Sequence, residues 1–310
     1  MKSKTTRRNF LIHSAAVSTV ALAAPTKGFA SVYKQESDDF TLNKNPLKLG
    51  LMTYMIGASW DMETLIENMK ATNLKHVELR TTHKHGVEVS LNRQQRDEVK
   101  KRFVDNNIAI SLASAFSYHH EDQKELKHHI ESTKEYLQLA ADIGAEGVRV
   151  VPNAVPDEGD ENREKILKQI ARSASECADA GYNLGVQLRL EEHGKGTNNI
   201  PVIKQILDLA DNPHLYIVWN CINSDYTGEG LPKGYRGMSL EGQFNLVKEK
   251  IGCVHMRELS TDYPWRELFS LLRKSGYKGY CDIEVTPESC EPIRYLNNYH
   301  ALFLALQNAL

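Results

Sequence analysis

The chain alternates two periodicities. Short apolar runs bounded by turn residues occupy positions 47–54, 76–80, 108–114, 146–151, 184–191, 215–220, 253–255 and 281–284, and such runs read as strands. Nearly every interval carries apolar residues at helical spacing, over 62–71, 93–106, 123–143, 161–180, 200–210, 240–250 and 265–274, with a last helical stretch at 292–309. Gly144, Gly181 and Gly276 follow three of these stretches, as helix-ending residues do. A strand followed by a helix, repeated eight times, predicts parallel strands with crossover helices, closing as a (β/α)8 TIM barrel in the α/β class.

The last four runs each end on a polar residue: Glu191, Asn220, His255 and Glu284, spaced by 29, 35 and 29 positions. One strand, one helix and their loops take about thirty residues, so this cadence places all four at the C-terminal ends of consecutive strands. That rim is where barrels of this kind carry their chemistry. Two carboxylates, an amide and an imidazole form a set able to ligate a divalent ion, although aspartate would be a stronger ligand than Asn220. Strand alternation puts Gln187, Arg189 and Glu191 on one face, and Arg257 on the face of His255. A buried Arg189 needs a partner, and Asp282 or Glu78 has the right phase. Two long loops, 152–160 and 224–239, follow strands four and six and overhang the same rim as candidate lids or substrate contacts.

Composition narrows the setting. With 310 residues and 41% hydrophobic content the chain fills one barrel domain, placed at 46–310. Residues 1–30 carry five basic groups (Lys2, Lys4, Arg7, Arg8, Lys27) and no acid, then an apolar stretch and Gly28-Phe29-Ala30, which reads as an export signal cleaved near Ala30. Thr6-Arg7-Arg8-Asn9-Phe10-Leu11 resembles the twin-arginine signature, which implies the Tat export machinery as a partner and a periplasmic destination. Residues 31–45 read as a linker. Removing the signal moves the formal charge from −2 to about −7, which excludes a nucleic-acid partner in the absence of any basic stripe. No later segment is apolar enough to span a bilayer. Five cysteines without a C-x-x-C spacing read as small buried thiols.

At these residues the chain resembles a known family. Leu190-Glu191-Glu192-His193-Gly194, Trp219-Asn220-Cys221-Ile222-Asn223, His255-Met256-Arg257-Glu258-Leu259 and the run from Leu272 to Gly279 leading into Ile283-Glu284 are similar to the xylose isomerase-like TIM barrels of the sugar phosphate isomerase and epimerase group. The resemblance covers residues 46–310. It implies a sugar isomerase or epimerase in which Glu191, the position of Asn220, His255 and Glu284 bind one divalent metal (Mn, Zn, Co or Mg) and Glu191 and Glu284 act as acid and base. Two positions depart from the family pattern: Asn220 stands for an aspartate, and His-Met-Arg-Glu for H-x-K-D.

The chemistry can be stated without the family. Isomerisation and epimerisation remove a proton next to a carbonyl, and a metal bridging the substrate oxygens stabilises the resulting enediolate. Glu191 and Glu284 end strands well apart around the ring, from where carboxylates on opposite sides could move the proton. His193 is placed to orient a sugar hydroxyl, and Arg257 to reach a carboxylate or phosphate. Glu78, Arg80 and Arg149 add polar groups near the same mouth, and Tyr54, Phe116, Tyr118 and Trp219 offer rings to a sugar face. Two other readings stay open: a lyase or hydrolase acting on keto-sugars or glycosides through the same proton abstraction, and a metal-free sugar-binding barrel. The substrate in each case is a small carbohydrate.

Overall fold

The protein's structure, a computed structural model, describes residues 44–286 and 291–309. The twin-arginine segment, its cleavage point, residues 31–43 of the linker and Cys290 lie outside the described residues. The eight strands are β1 (Lys48–Met52), β2 (His76–Arg80), β3 (Ala109–Ala113), β4 (Gly147–Val150), β5 (Gln187–Glu191), β6 (Leu215–Trp219), β7 (Ile251–Met256) and β8 (Tyr280–Ile283). They pair in chain order and close into a parallel barrel, with β1 against β8. The helices are α1 (Met62–Ala71), α2 (Arg93–Asp105), α3 (Gln123–Ile143), α4 (Arg163–Asn183), α5 (Ile200–Ala210), α6 (Ser224–Thr227), α7 (Leu240–Val247), α8 (Trp265–Lys274) and α9 (Pro292–Leu306). Among the described residues no helix is long and apolar enough to cross a membrane.

Local chemistry explains the boundaries. Asn92 caps α2 by accepting from the Gln95 amide while the Gln95 side chain accepts from the Asn92 amide, a reciprocal capping box. Asn199 caps α5 just ahead of Pro201, whose missing N–H is harmless in the first turn. One expected stop differs: α4 runs through Gly181. A Cβ there would lie 2.5 Å from the Val186 carbonyl oxygen, so Gly181 permits close packing, and the turn is made instead at Gly185 with φ 73°. Strand β5 consequently starts at Gln187, later than the expected 184. The loop 224–239 opens with α6, a single helical turn.

Alternation along the strands sorts the side chains into two shells. Leu49, Leu51, Val77, Leu79, Ile110, Leu112, Val148, Leu188, Leu190, Ile217, Val254 and Ile283 are buried in the apolar core with the inner faces of the helices. Leu137, Ile170, Ile203, Leu268 and Phe303 come from the helix side. The residues between them along the strands point into the barrel and are polar to an unusual degree. Between β6 and β7 the pairing slips: Ile217 faces Ile251, but the next residue, Val218, faces Cys253, leaving Gly252 as the extra residue. Cys177, Cys221, Cys253 and Cys281 are buried free thiols.

Candidate active site at the barrel mouth

The interior polar residues form two layers. In the lower one, His76 Nδ1 lies 2.8 Å from Asp282 Oδ1, and Cys253 Sγ donates to Asp282 Oδ2 at 3.2 Å. Gly50 makes this possible, since a Cβ there would lie 2.0 Å from Asp282 Oδ1 and 2.8 Å from His76 Nδ1. Arg189 belongs to the same level, with Nε donating to Gln187 Oε1 at 2.9 Å and a guanidinium nitrogen 3.9 Å from Glu146. Gly147 and Gly252 clear its space: a Cβ on either would fall within 3.0 Å of the guanidinium. The expected pairing of Arg189 with Asp282 or Glu78 is therefore corrected. The phase is as expected, but Asp282 is taken by His76 and Cys253, and Glu78 by Ser111 and His255.

Ser111 joins the layers, lying 3.1 Å from His76 Nε2 and donating to Glu78 Oε2 at 3.2 Å. Above it, His255 stands between two carboxylates, with Nε2 2.9 Å from Glu78 Oε1 and Nδ1 2.9 Å from Glu191 Oε1. Glu284 Oε2 is 3.9 Å from the same Nδ1. Burial opposes a charged imidazole, yet Glu78 and Glu191 hold the His255 pKa well above its usual range. Burial likewise works to raise the Glu191 carboxyl, but Arg149, with Nε 3.4 Å away, and the hydrogen bond from His255 outweigh it and hold Glu191 at about 2.

Asn220 and Glu284 lie just past the ends of β6 and β8 and meet Arg257. Arg257 Nη2 donates to Asn220 Oδ1 at 2.8 Å, and Nη1 lies 2.8 Å from Glu284 Oε2. Asn220 Nδ2 in turn donates to the Glu192 carbonyl at 3.2 Å. Cys221, directly after Asn220, has φ 28°, on the left-handed side that few side chains adopt.

The structure thus brings Glu78, Glu191, Asn220, His255, Arg257 and Glu284 into one cluster. Glu78 is deeper than the mouth, and Glu191 and Glu284 are not on opposite sides. Their strands are three apart around the ring, but one oxygen of each and one His255 nitrogen all lie within 4.8 Å of one another. His193 is exposed on the loop after β5 and holds Thr197 through its carbonyl. Trp219 is corrected as a sugar-stacking residue: it is fully buried and its indole donates to Tyr263 Oη at 3.0 Å. Asn220, its neighbour, faces the barrel, so alternation turns Trp219 toward the helices. Tyr118 is also wholly buried, while Tyr54 stays exposed with Arg80 over its ring.

A pair the sequence reading passed over lies behind this cluster. Glu192 and Asp225 are both fully buried, and Asp225 accepts from Tyr263 Oη and the Ile222 amide, each at 2.9 Å. Burial raises Glu192 well above the carboxylate range, with Asp225 adding to it, and burial lifts Asp225 to about 7. The signal was a charged residue at position 192, where alternation calls for an apolar one.

A family model described as xylose isomerase-like TIM barrel matches residues 66–299. The chain belongs to that family. No curated protein sequence matches it. Solved structures with the family's fold include an L-ribulose 3-epimerase, 13% identical over 84% of this chain and 95% of that one, with a TM-score of 0.67. A 3-keto-D-glucoside 4-epimerase from E. coli is 13% identical over 84% of this chain and 99% of its own, with a TM-score of 0.66. An IolI protein solved with a bound zinc atom is 15% identical over 84% and 98%, with a TM-score of 0.65.

The side chains of this xylose isomerase-like barrel can accommodate a divalent ion. One oxygen each of Glu191 and Glu284 and one His255 nitrogen, all buried, lie within 4.8 Å of one another; Glu191 Oε2 accepts no hydrogen bond, while Glu284 Oε2 is ion-paired with Arg257 Nη1 at 2.8 Å. Hard oxygen donors plus one imidazole suit manganese, zinc, cobalt or magnesium. The fourth position differs, because Asn220 Oδ1 is already occupied by Arg257.

Proposed function

We propose that this member of the xylose isomerase-like family is a sugar isomerase or epimerase that moves a proton on a carbon next to a carbonyl. The observation that carries the reading is the convergence of two buried carboxylates, Glu191 and Glu284, on one imidazole at the C-terminal mouth of the barrel. The epimerases with the same fold are in keeping with it. Glu191, His255 and Glu284 would hold a divalent ion, with Asn220 as an altered fourth position. That ion, when bound, would supply electrophilic stabilisation of the enediolate oxygens.

The protein's own residues divide the remaining work. Glu191, held ionised by Arg149 and His255, is a fixed anion rather than a ready base. Glu284, ion-paired through Oε2 with the partly exposed Arg257, takes the proton from the carbon and returns it. His255 positions Glu191, and Glu78 beneath it holds the ring in place. Arg257 and exposed His193 are the groups nearest solvent that can orient the sugar. Export through the twin-arginine route, with cleavage near Ala30, would deliver the barrel to the periplasm already folded, and a free sugar or sugar acid would meet it there.

Incubation with ketoses and keto-glycosides in deuterium oxide tests the proposal. Deuterium should enter at the carbon next to the carbonyl, and Glu284→Gln should reduce turnover by about 10²- to 10⁴-fold. Exchange coupled to loss of a substituent would move the assignment to a lyase. Binding without exchange would leave a sugar-binding barrel.

A further inference from the structure

Two arginines face the two carboxylates of the mouth, and they are held differently. Arg149 is buried, its Nη1 donates to the Ser114 carbonyl at 2.6 Å, and its Nε sits 3.4 Å from Glu191. Arg257 has a side chain 38% exposed, and the guanidinium contacts that hold it at the mouth run to Asn220 Oδ1 and Glu284 Oε2, each at 2.8 Å. Those two oxygens are two of the four positions that would face a metal. A guanidinium and a divalent ion both set against Glu284 Oε2 would repel at a few ångströms, so the ion is held more tightly once Arg257 has moved away. Arg149 has no room to leave; Arg257 has solvent beside it.

We propose that Arg257 is a resident cation competing for the metal position: it bridges Asn220 and Glu284 when no ion is bound, and a divalent ion enters only by displacing its guanidinium toward solvent. This rests on the reading of Glu191, His255 and Glu284 as metal ligands. The proposal gives Asn220 a role. A neutral amide accepts one N–H from Arg257 while its own Nδ2 stays bonded to the Glu192 carbonyl, an arrangement a carboxylate cannot make because it has no donor. Metal binding then becomes a displacement, weaker than in a site whose ligands are free, and responsive to any anionic substrate group that draws Arg257 away.

The test is calorimetric titration of manganese into the purified full chain, comparing wild type, Arg257→Met, Arg257→Lys and Asn220→Asp/Arg257→Met. Arg257→Met should bind manganese at least about tenfold more tightly than wild type, and manganese should raise its melting temperature more. Adding Asn220→Asp should tighten binding further. Arg257→Lys keeps the charge but cannot span both oxygens, so it should fall between the two, and it replaces Arg257→Met should that variant fail to fold. Manganese bound equally by wild type and the folded Arg257 variants would overturn the proposal and leave the metal reading standing. No manganese bound by any variant would remove both, while proton exchange on ketoses would still be judged by its own assay.

Discussion

The lower and upper polar layers of the barrel use the same kinds of side chain for opposite ends. Below, His76, Asp282, Cys253 and Ser111 close on one another, and Arg189 sits in a slot cut by Gly147 and Gly252. Above, Glu191 Oε2 accepts no hydrogen bond, and the arginine that meets Glu284 is partly exposed. A buried polar group stabilises when each partner is satisfied and stays available for chemistry when one is not. The lower layer is therefore a floor, and the upper one a site.

Breaking the floor should have the largest effect on stability. Gly50→Ala drives a Cβ into Asp282 and His76, and it should lower the unfolding free energy by about 3 kcal/mol or more in a denaturant titration. A loss below about 1 kcal/mol would show that the lower layer gives way easily.

The Glu192 and Asp225 pair sharpens the boundary of the site by pH. Asp225 titrates at about 7 in the fold against 3.8 as its ordinary value, so folding binds a proton. The stabilisation from that proton is complete below pH 3.8 and is lost as pH rises through about 7. Between pH 5 and 7 wild type should lose roughly 2 kcal/mol more than Asp225→Asn. Melting temperatures measured across that range, falling in parallel for both proteins, would mean that Asp225 does not take up the proton.

Arg189→Met should have the smallest effect. Its carboxylate neighbour Glu146 is half exposed and is not stranded by the change, so stability should fall by about 1 kcal/mol with turnover unaltered. A matching fall in turnover would extend the site down to the floor and dissolve the contrast between layers.

The eight strands were legible because each is short, apolar on its outer face and followed by a helical stretch, and because a thirty-residue cadence fits one β/α unit. Glu191, Asn220, His255 and Glu284 could be placed at one rim by counting. What counting could not supply was reach. Glu191 and Glu284 start from strands well separated around the ring, yet side chains of that length meet across a narrow barrel. The choice of partner for Arg189 was hidden for a related reason: phase says which face a residue lies on, not which of several carboxylates is already engaged. Trp219 was misjudged because its place at a strand end outweighed its alternation with Asn220. Gly50, Gly147 and Gly252 carry no chemistry, and only the neighbours they make room for reveal their use.

The slip between β6 and β7 sets a parity. Because Gly252 is absorbed as an extra residue, Cys253, His255 and Arg257 share the inward phase with Val218 and Asn220. One more or one fewer residue in β7 would exchange inside for outside along the whole strand, removing an imidazole and a guanidinium from the mouth together. Loops above the barrel can change length one residue at a time. This strand keeps its groups at the mouth only if its length changes in steps of two, or if a slip like the one at Gly252 absorbs the odd residue.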